Sequence, residues 1–404
     1  MIQRELYMKQ IRPFMGNELI KVLTGIRRCG KSVMLELIQA ELVSAGVSPS
    51  QFISINFEQM SNRKFCTAES LHAEIERRIS AVTGKTYLFF DEIQEVQNWE
   101  VCINSCRIDF DCDIYITGSN AKLLSGELAT YLAGRYVEFV IYPFSFGEFL
   151  DMCRQKDPSL DISTAFRNYI QLGGMPFLSN LMDNTEACSQ YLRDVYNSAI
   201  LKDVIQRNQI RDVDLLARIS TYILANVGHT FSATSLSKYL KSEGRRVSPD
   251  TVLNYTKYCM EAFLFYRANR EDLIGKKILS VNEKYYVVDH GLREAVYGAN
   301  VRNMDQILEN IIYIESLRRG FSVTIGKKDS VEIDFILQKN RQKLYIQVSY
   351  LLASPETIQR EFDVYLNIPD NYPKYVVSMD EFDMSQNGIK HRNIRDFLLM
   401  DKWD

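Results

Sequence analysis

The chain has 404 residues, too many for a single compact core, so about two to four domains are expected. Its residues are 46% apolar and 25% charged, the balance of a soluble globular protein, and a net charge of −3 excludes a chain coated in nucleic acid while leaving room for a local basic face. Eight cysteines without a CxxC pair, and four scattered histidines, exclude a disulfide framework and a Cys/His zinc site and read as reduced thiols.

In chain order, Met1-Ile2-Gln3-Arg4-Glu5 carries no apolar leader, and no apolar run reaches the roughly 18 residues of a membrane span. A cytoplasmic protein without membrane contact is therefore expected. Leu19–Leu23 reads as a short apolar strand and Ser32–Gln39 as a helix; between them lies Gly25-Ile26-Arg27-Arg28-Cys29-Gly30-Lys31-Ser32. Strand, glycine-bounded loop and helix is the setting of a phosphate-binding loop. The glycines let successive N–H groups converge on one anion at the positive end of the helix. Residues Gly25 through Val33 are thus the candidate nucleotide contacts. Lys31 supplies a charge for the β- and γ-phosphates, Ser32 a hydroxyl for Mg²⁺, and Arg27 and Arg28 lie against phosphate or face solvent.

Phe52–Phe57 has the β-branched and aromatic bias of a buried strand. Thr86-Tyr87-Leu88-Phe89-Phe90-Asp91-Glu92 is apolar until two carboxylates close it, as a parallel strand covered on both faces would be. Asp91 would hold Mg²⁺ and Glu92 would polarise an attacking water. Asp113–Asn120 is a third strand with a polar tip. Among Thr117, Ser119 and Asn120, Asn120 is the first candidate for a sensor of the γ-phosphate; capping the helix that begins near Ala121 is the alternative.

These motifs, with Phe90–Gln94, Thr117–Asn120 and Leu128–Arg135, together resemble the prokaryotic AAA-type ATPases related to the STAND group, which end in a domain of unknown function. The resemblance implies a P-loop core over 1–145 that takes ATP and Mg²⁺. It also implies that Arg135, followed by a strand and Tyr142-Pro143-Phe144-Ser145-Phe146, senses the γ-phosphate in cis or across a subunit contact, unless it is an ion-paired surface residue. Residues 146–206 are mostly helical and would form a helical lid. Leu172-Gly173-Gly174-Met175-Pro176 interrupts them, as a hinge between nucleotide state and lid or as a plain turn.

Residues 207–300 read as a winged helix-turn-helix. Leu215–Leu224 is amphipathic, Ser232–Leu240 follows, and a third helix starts at Ser248-Pro249, before short strands Leu264–Ala268 and Lys284–Val288. Lys238, Lys241, Arg245, Arg246, Lys257, Lys276 and Lys277 would contact duplex DNA within 232–277; an internal clamp or a protein partner is the alternative. In 301–404, a helix over Glu309–Gly320 and the strands Ser322–Ile325, Val331–Leu337 and Lys343–Tyr350 resemble a PD-(D/E)XK nuclease fold. Glu309 or Glu315 and Asp334 suit two of its acidic places, but Gln347 and Ser349 stand where the third acid and the lysine belong, so inactive chemistry is expected. The expectation as a whole is an α/β protein: a parallel P-loop NTPase sheet with lid, winged helix and nuclease-like tail. It would act as a slow ATPase switch, as a nucleotide-regulated protein scaffold, or as an ATP-dependent nuclease.

Overall fold

Five short runs rich in β-branched and aromatic residues form one sheet: β1 (Ile20–Thr24), β2 (Phe52–Asn56), β3 (Thr86–Asp91), β4 (Cys112–Gly118) and β5 (Tyr136–Val140). A computed structural model describes them within residues 2–124, 132–272, 278–298, 303–328, 331–366, 368 and 370–404. All neighbours are parallel, in the order β2-β3-β4-β1-β5. β1, β3 and β4 are buried along their whole length, which explains why they read as unbroken apolar runs and not as alternating ones.

The helices that cover the sheet are α2 (Lys31–Ser44), α3 (Ala68–Ile79) and α4 (Trp99–Asp109), preceded by the short α1 (Glu5–Ile11). Leu88 and Phe90 face a cluster with Leu71, Ile75, Trp99 and Ile103. On the sheet's other face Phe89 stacks on Tyr115, with ring centroids 4.9 Å apart. Thr67 caps α3 in a capping box with Ser70.

The chain divides into two units, residues 1–141 with 261–263, and residues 142–260 with 264–404. The second unit begins with helices Phe146–Lys156, Ile162–Leu172 and Thr185–Ser198, the last running on as a π-helical stretch, Ala199–Gln206. Gly173 and Gly174 close the second of these. A Cβ on Gly173 would stand 2.1 Å from Asp289 Oδ1, and one on Gly174 2.2 Å from the Phe144 carbonyl oxygen. Gly174 N donates to Asp289 Oδ2 at 2.7 Å, and Phe144 N donates to the Gly174 carbonyl at 2.6 Å. The glycine pair is there for close approach in a clamped segment, which argues for the turn over the hinge.

Helices Val213–Ala225, Ala233–Ser242 and Pro249–Glu261 follow, and then the hairpin β6 (Phe265–Asp272) and β7 (Ile278–Val287). This hairpin, expected as a wing, is built into a larger sheet. β6 pairs in parallel with β8 (Ser322–Lys328), and the seven-stranded order is β12-β11-β10-β9-β8-β6-β7. The others are β9 (Val331–Lys339), β10 (Gln342–Val348), β11 (Lys374–Ser378) and β12 (Lys390–Asn393). The sheet therefore crosses the domain boundary expected at residue 300. At its β7 edge Asn310, on helix Met304–Arg318, takes the place of a strand: its Oδ1 accepts Val287 N at 2.8 Å and its Nδ2 donates to Val287 O at 2.9 Å. Among the described residues no helix is long and apolar enough to cross a membrane.

Candidate active site

The loop after β1 bends because its glycines allow it. Gly25 has φ 138°, and a Cβ there would lie 2.2 Å from the Ile141 carbonyl oxygen, so no other residue fits. Gly30 caps α2 at φ 102°, and Arg28 takes the left-handed conformation at φ 64°. Three of the loop's carbonyls accept from side-chain cations. Lys31 Nζ donates to Gly25 O at 3.0 Å and to Ile26 O at 3.2 Å, and buried Arg4 donates from Nη1 to Cys29 O at 3.0 Å. The first-turn amides of Lys31, Ser32 and Val33 have no carbonyl of their own helix to bind, which is what an anion-binding helix start requires.

Asp91 ends β3 opposite this loop. Its Oδ2 accepts the Ser32 hydroxyl at 2.7 Å and Asn56 Nδ2 at 2.8 Å, while its Oδ1 accepts Thr117 Oγ1 at 2.6 Å. Burial pushes the Asp91 carboxyl up from its ordinary range, against the pull of the Thr117 and Ser32 hydroxyls.

Glu92 is buried as well, with a left-handed backbone at φ 56° and its N–H donated to Thr117 Oγ1 at 2.9 Å. Its carboxylate lies 3.6 Å from Lys31 Nζ and accepts from Gln94 Nε2 and from Ser119. Burial alone would raise the Glu92 pKa, but the Lys31 and Arg27 charges outweigh it and hold the group below the usual carboxylate range, hence ionised.

Gly25, Ile26, Cys29, Gly30, Lys31, Ser32, Asp91 and Glu92 therefore come together. Arg27 leans on Glu58 at 3.1 Å, Arg28 is exposed, and Val33 lies in the first turn of α2. Asn120 is buried just after β4, and its neighbour Ser119 reaches Glu92. Arg135 does not join the site of its own chain. Its carbonyl accepts Ile20 N at 2.9 Å at the amino end of β1, and its side chain donates to Asn104 Oδ1 at 2.9 Å. The phosphate loop leaves the opposite, carboxyl end of that strand. Leu128–Tyr131 lie outside the described residues. Sequence reasoning missed Asn56 and Arg4, and gave Gln94, which closes the Phe90–Gln94 motif, no role. Asn56 carried a signal, a polar residue closing an apolar strand next to β3; Arg4 carried none.

A magnesium ion suits this donor set. A hydroxyl and a carboxylate, Ser32 and Asp91, sit side by side, both hard oxygen donors, and such a site leaves the remaining places to phosphate and water.

A second polar cluster lines a cleft of about 510 Å³ in the carboxy-terminal unit, with Glu309, Asp334, Gln347 and Glu361 on its walls. Its groups are engaged with one another. Gln347 accepts Asp334 N at 3.2 Å and donates to Glu361 Oε2 at 2.9 Å, and Asp334 Oδ2 accepts Val348 N at 2.9 Å. Lys284, on β7, stands 2.8 Å from Glu332 and 3.7 Å from Glu309, so an ammonium does reach these acids, from a strand the sequence had assigned to the wing. Among the basic residues expected to meet DNA, Arg245 pairs with Asp212 at 3.5 Å and with Asp214 at 2.5 Å. Lys276 and Lys277 lie outside the described residues.

Residues 17–150 match a family described as an AAA domain, and residues 163–305 match a domain of unknown function. An uncharacterized protein of Haemophilus influenzae is 38% identical over 400 residues, 99% of each chain. One of Methanocaldococcus jannaschii is 29% identical over 358 residues, 86% of this chain and 78% of that one. Among solved structures, the Aeropyrum pernix Orc1 protein in complex with DNA aligns over 73% of this chain and 90% of its own at 13% identity, with a TM-score of 0.31, too loose a superposition to transfer anything about function.

Proposed function

Because the chain belongs to one family with the full-length Haemophilus influenzae relative and carries an AAA domain over residues 17–150, we propose that it is a magnesium-dependent ATPase whose nucleotide state acts as a switch. One observation carries this reading: the phosphate loop, the Ser32–Asp91 pair and the ionised Glu92 meet around a single point at the carboxyl ends of β1 and β3.

The loop's amides and Lys31 take the β- and γ-phosphates, with Lys31 exchanging its hold on Gly25 O and Ile26 O for phosphate oxygens. Glu92 accepts a proton from water as the water oxygen bonds to the γ-phosphorus and the bond to the β–γ bridging oxygen breaks, releasing ADP. Its strained backbone and three side-chain partners hold the carboxylate in place for that step. Magnesium, held by Ser32 and Asp91 when bound, supplies charge neutralisation across the two phosphates.

Lys31→Ala is expected to lose ATP binding in calorimetry, because the loop then aims no ammonium at the phosphates. Glu92→Gln is expected to keep binding while turnover falls by about 100-fold or more. Unchanged affinity in the first variant, or wild-type turnover in the second, overturns the reading. The output surface is read as the three helices within 213–261, which would meet duplex DNA or a protein partner, while their hairpin serves the seven-stranded sheet. The carboxy-terminal sheet is read as a nuclease-like scaffold without turnover, its acids held by Gln347, by Lys284 and by a backbone amide. Magnesium-dependent cleavage of DNA that disappears in Asp334→Ala would reverse that last assignment.

A further inference from the structure

Gln94 closes the Phe90–Gln94 motif, two residues after Glu92, and the sequence assigned it no role. Its Nε2 donates to Glu92 Oε2, while its Oε1 is buried without a hydrogen-bond partner among the described residues. A buried amide oxygen left unpaired is unfavourable, so a neutral amide is a poor choice here unless its other end has a task. The alternative amide orientation would set an oxygen against the Glu92 carboxylate, so Glu92 itself dictates which end points where.

The unpaired end lies against the tip of β4. A Cβ on Gly118 would stand 2.9 Å from Gln94 Oε1 and 2.6 Å from a methyl of Leu123. Gly118 thus leaves the room in which the amide lies. The same tip carries Ser119, which also binds the Glu92 carboxylate. We propose that Gln94 is a positioning residue for the hydrolytic step: wedged against Gly118, it occupies Glu92 Oε2 and leaves Oε1 turned toward Lys31 and the γ-phosphate position. Gly118 acts through it, as the spacer that keeps the amide in reach of Glu92.

The inference rests on the ATPase reading above, and kinetics with parallel binding measurements separates the two. In the full chain, Gln94→Ala is expected to lower kcat roughly 10- to 100-fold, since a catalytic group released by about 1 Å loses that much. KM, and the affinity for a non-hydrolysable ATP analogue with magnesium, should stay within about twofold, because no contact with the nucleotide's ground state is removed. Gly118→Ala should show the same split. The double variant should be no slower than the slower single one, the non-additivity of two residues acting through one contact. Wild-type kcat in Gln94→Ala, or analogue affinity lost together with kcat, overturns the inference while leaving the ATPase reading in place. Strict additivity in the double variant removes Gly118 from it. A wild-type chain that binds the analogue but never releases phosphate overturns the ATPase reading and this inference with it.

Discussion

Single residues carry the tightest constraints in this molecule. Gly25 combines φ 138° with a carbonyl oxygen 2.2 Å from where a Cβ would be, so strain and collision add. Gly25→Ala should lower stability by at least about 1–3 kcal/mol in urea unfolding and abolish ATP binding in the folded fraction. A different residue gives a pH dependence. His391 is buried, Met384 N donates to its Nδ1 at 3.2 Å, and its Nε2 lies 2.9 Å from Ser378 Oγ, whose own proton goes to Asp380 Oδ2 at 2.7 Å. The ring is therefore neutral with its proton on Nε2, and protonating Nδ1 would set N–H against N–H. Burial holds its pKa below the ordinary 6.5. The unfolded chain then takes up a proton that the folded one refuses. Stability from this group is complete above pH 6.5 and is lost as pH falls below it toward the folded-state pKa. Thermal unfolding from pH 7.5 to 5 should show a fall in midpoint that is smaller in His391→Gln; equal slopes would remove His391 as the source.

At the scale of elements, the parallel sheet is joined by a charge pair as well as by apolar packing. Lys21 on β1 and Asp113 on β4 are fully buried and bonded to each other, and Asp113 also accepts Gly16 N and Tyr115 OH, each at 2.7 Å. Burial drives the Lys21 pKa below its ordinary value, and Asp113 opposes that. Removing one partner leaves an uncompensated charge between two central strands, so Asp113→Ala should destabilise by about 3–5 kcal/mol. Lys21→Met with Asp113→Leu should recover most of it, and chemical denaturation of the three variants decides. No period or motif signalled this pair, because a lysine inside an apolar strand looks like noise until its neighbour across the sheet is known. The strands themselves were legible. β3 and β4 are covered on both faces and so must be apolar throughout, whereas the hairpin β6–β7 looked like a free wing only because its pairing with β8 spans residues far apart in the chain.

For the whole molecule, the choice between DNA and a protein partner is a matter of charge. The net charge is −3, and Arg245 is already held by Asp212 and Asp214. If residues 232–277 meet duplex DNA, fluorescence anisotropy should show affinity falling steeply with salt. Lys238→Ala or Lys257→Ala should each flatten that slope by about one unit. Binding that is absent, or indifferent to salt, assigns the surface to a protein. Arg135 stands beside the amino end of β1 and donates to Asn104, so a role on a phosphate in trans would need another copy of the chain. Its removal should then lower turnover per chain only under conditions in which the protein self-associates, as read by light scattering alongside phosphate release.

What the sequence determined alone is the chemistry of the phosphate loop and of β3. There, adjacent residues act together: glycines set the backbone, the ammonium and hydroxyl follow at the helix start, and two acids end a buried strand. What only the tertiary structure decided is everything joined across the sheets: Asn56 and Thr117 on Asp91, Gln94 against Gly118, Lys284 among the carboxy-terminal acids, and Arg135 on Asn104. Such partners meet through strand order and register, and a hydrogen bond or ion pair forms only at contact distance, which spacing along the chain does not encode.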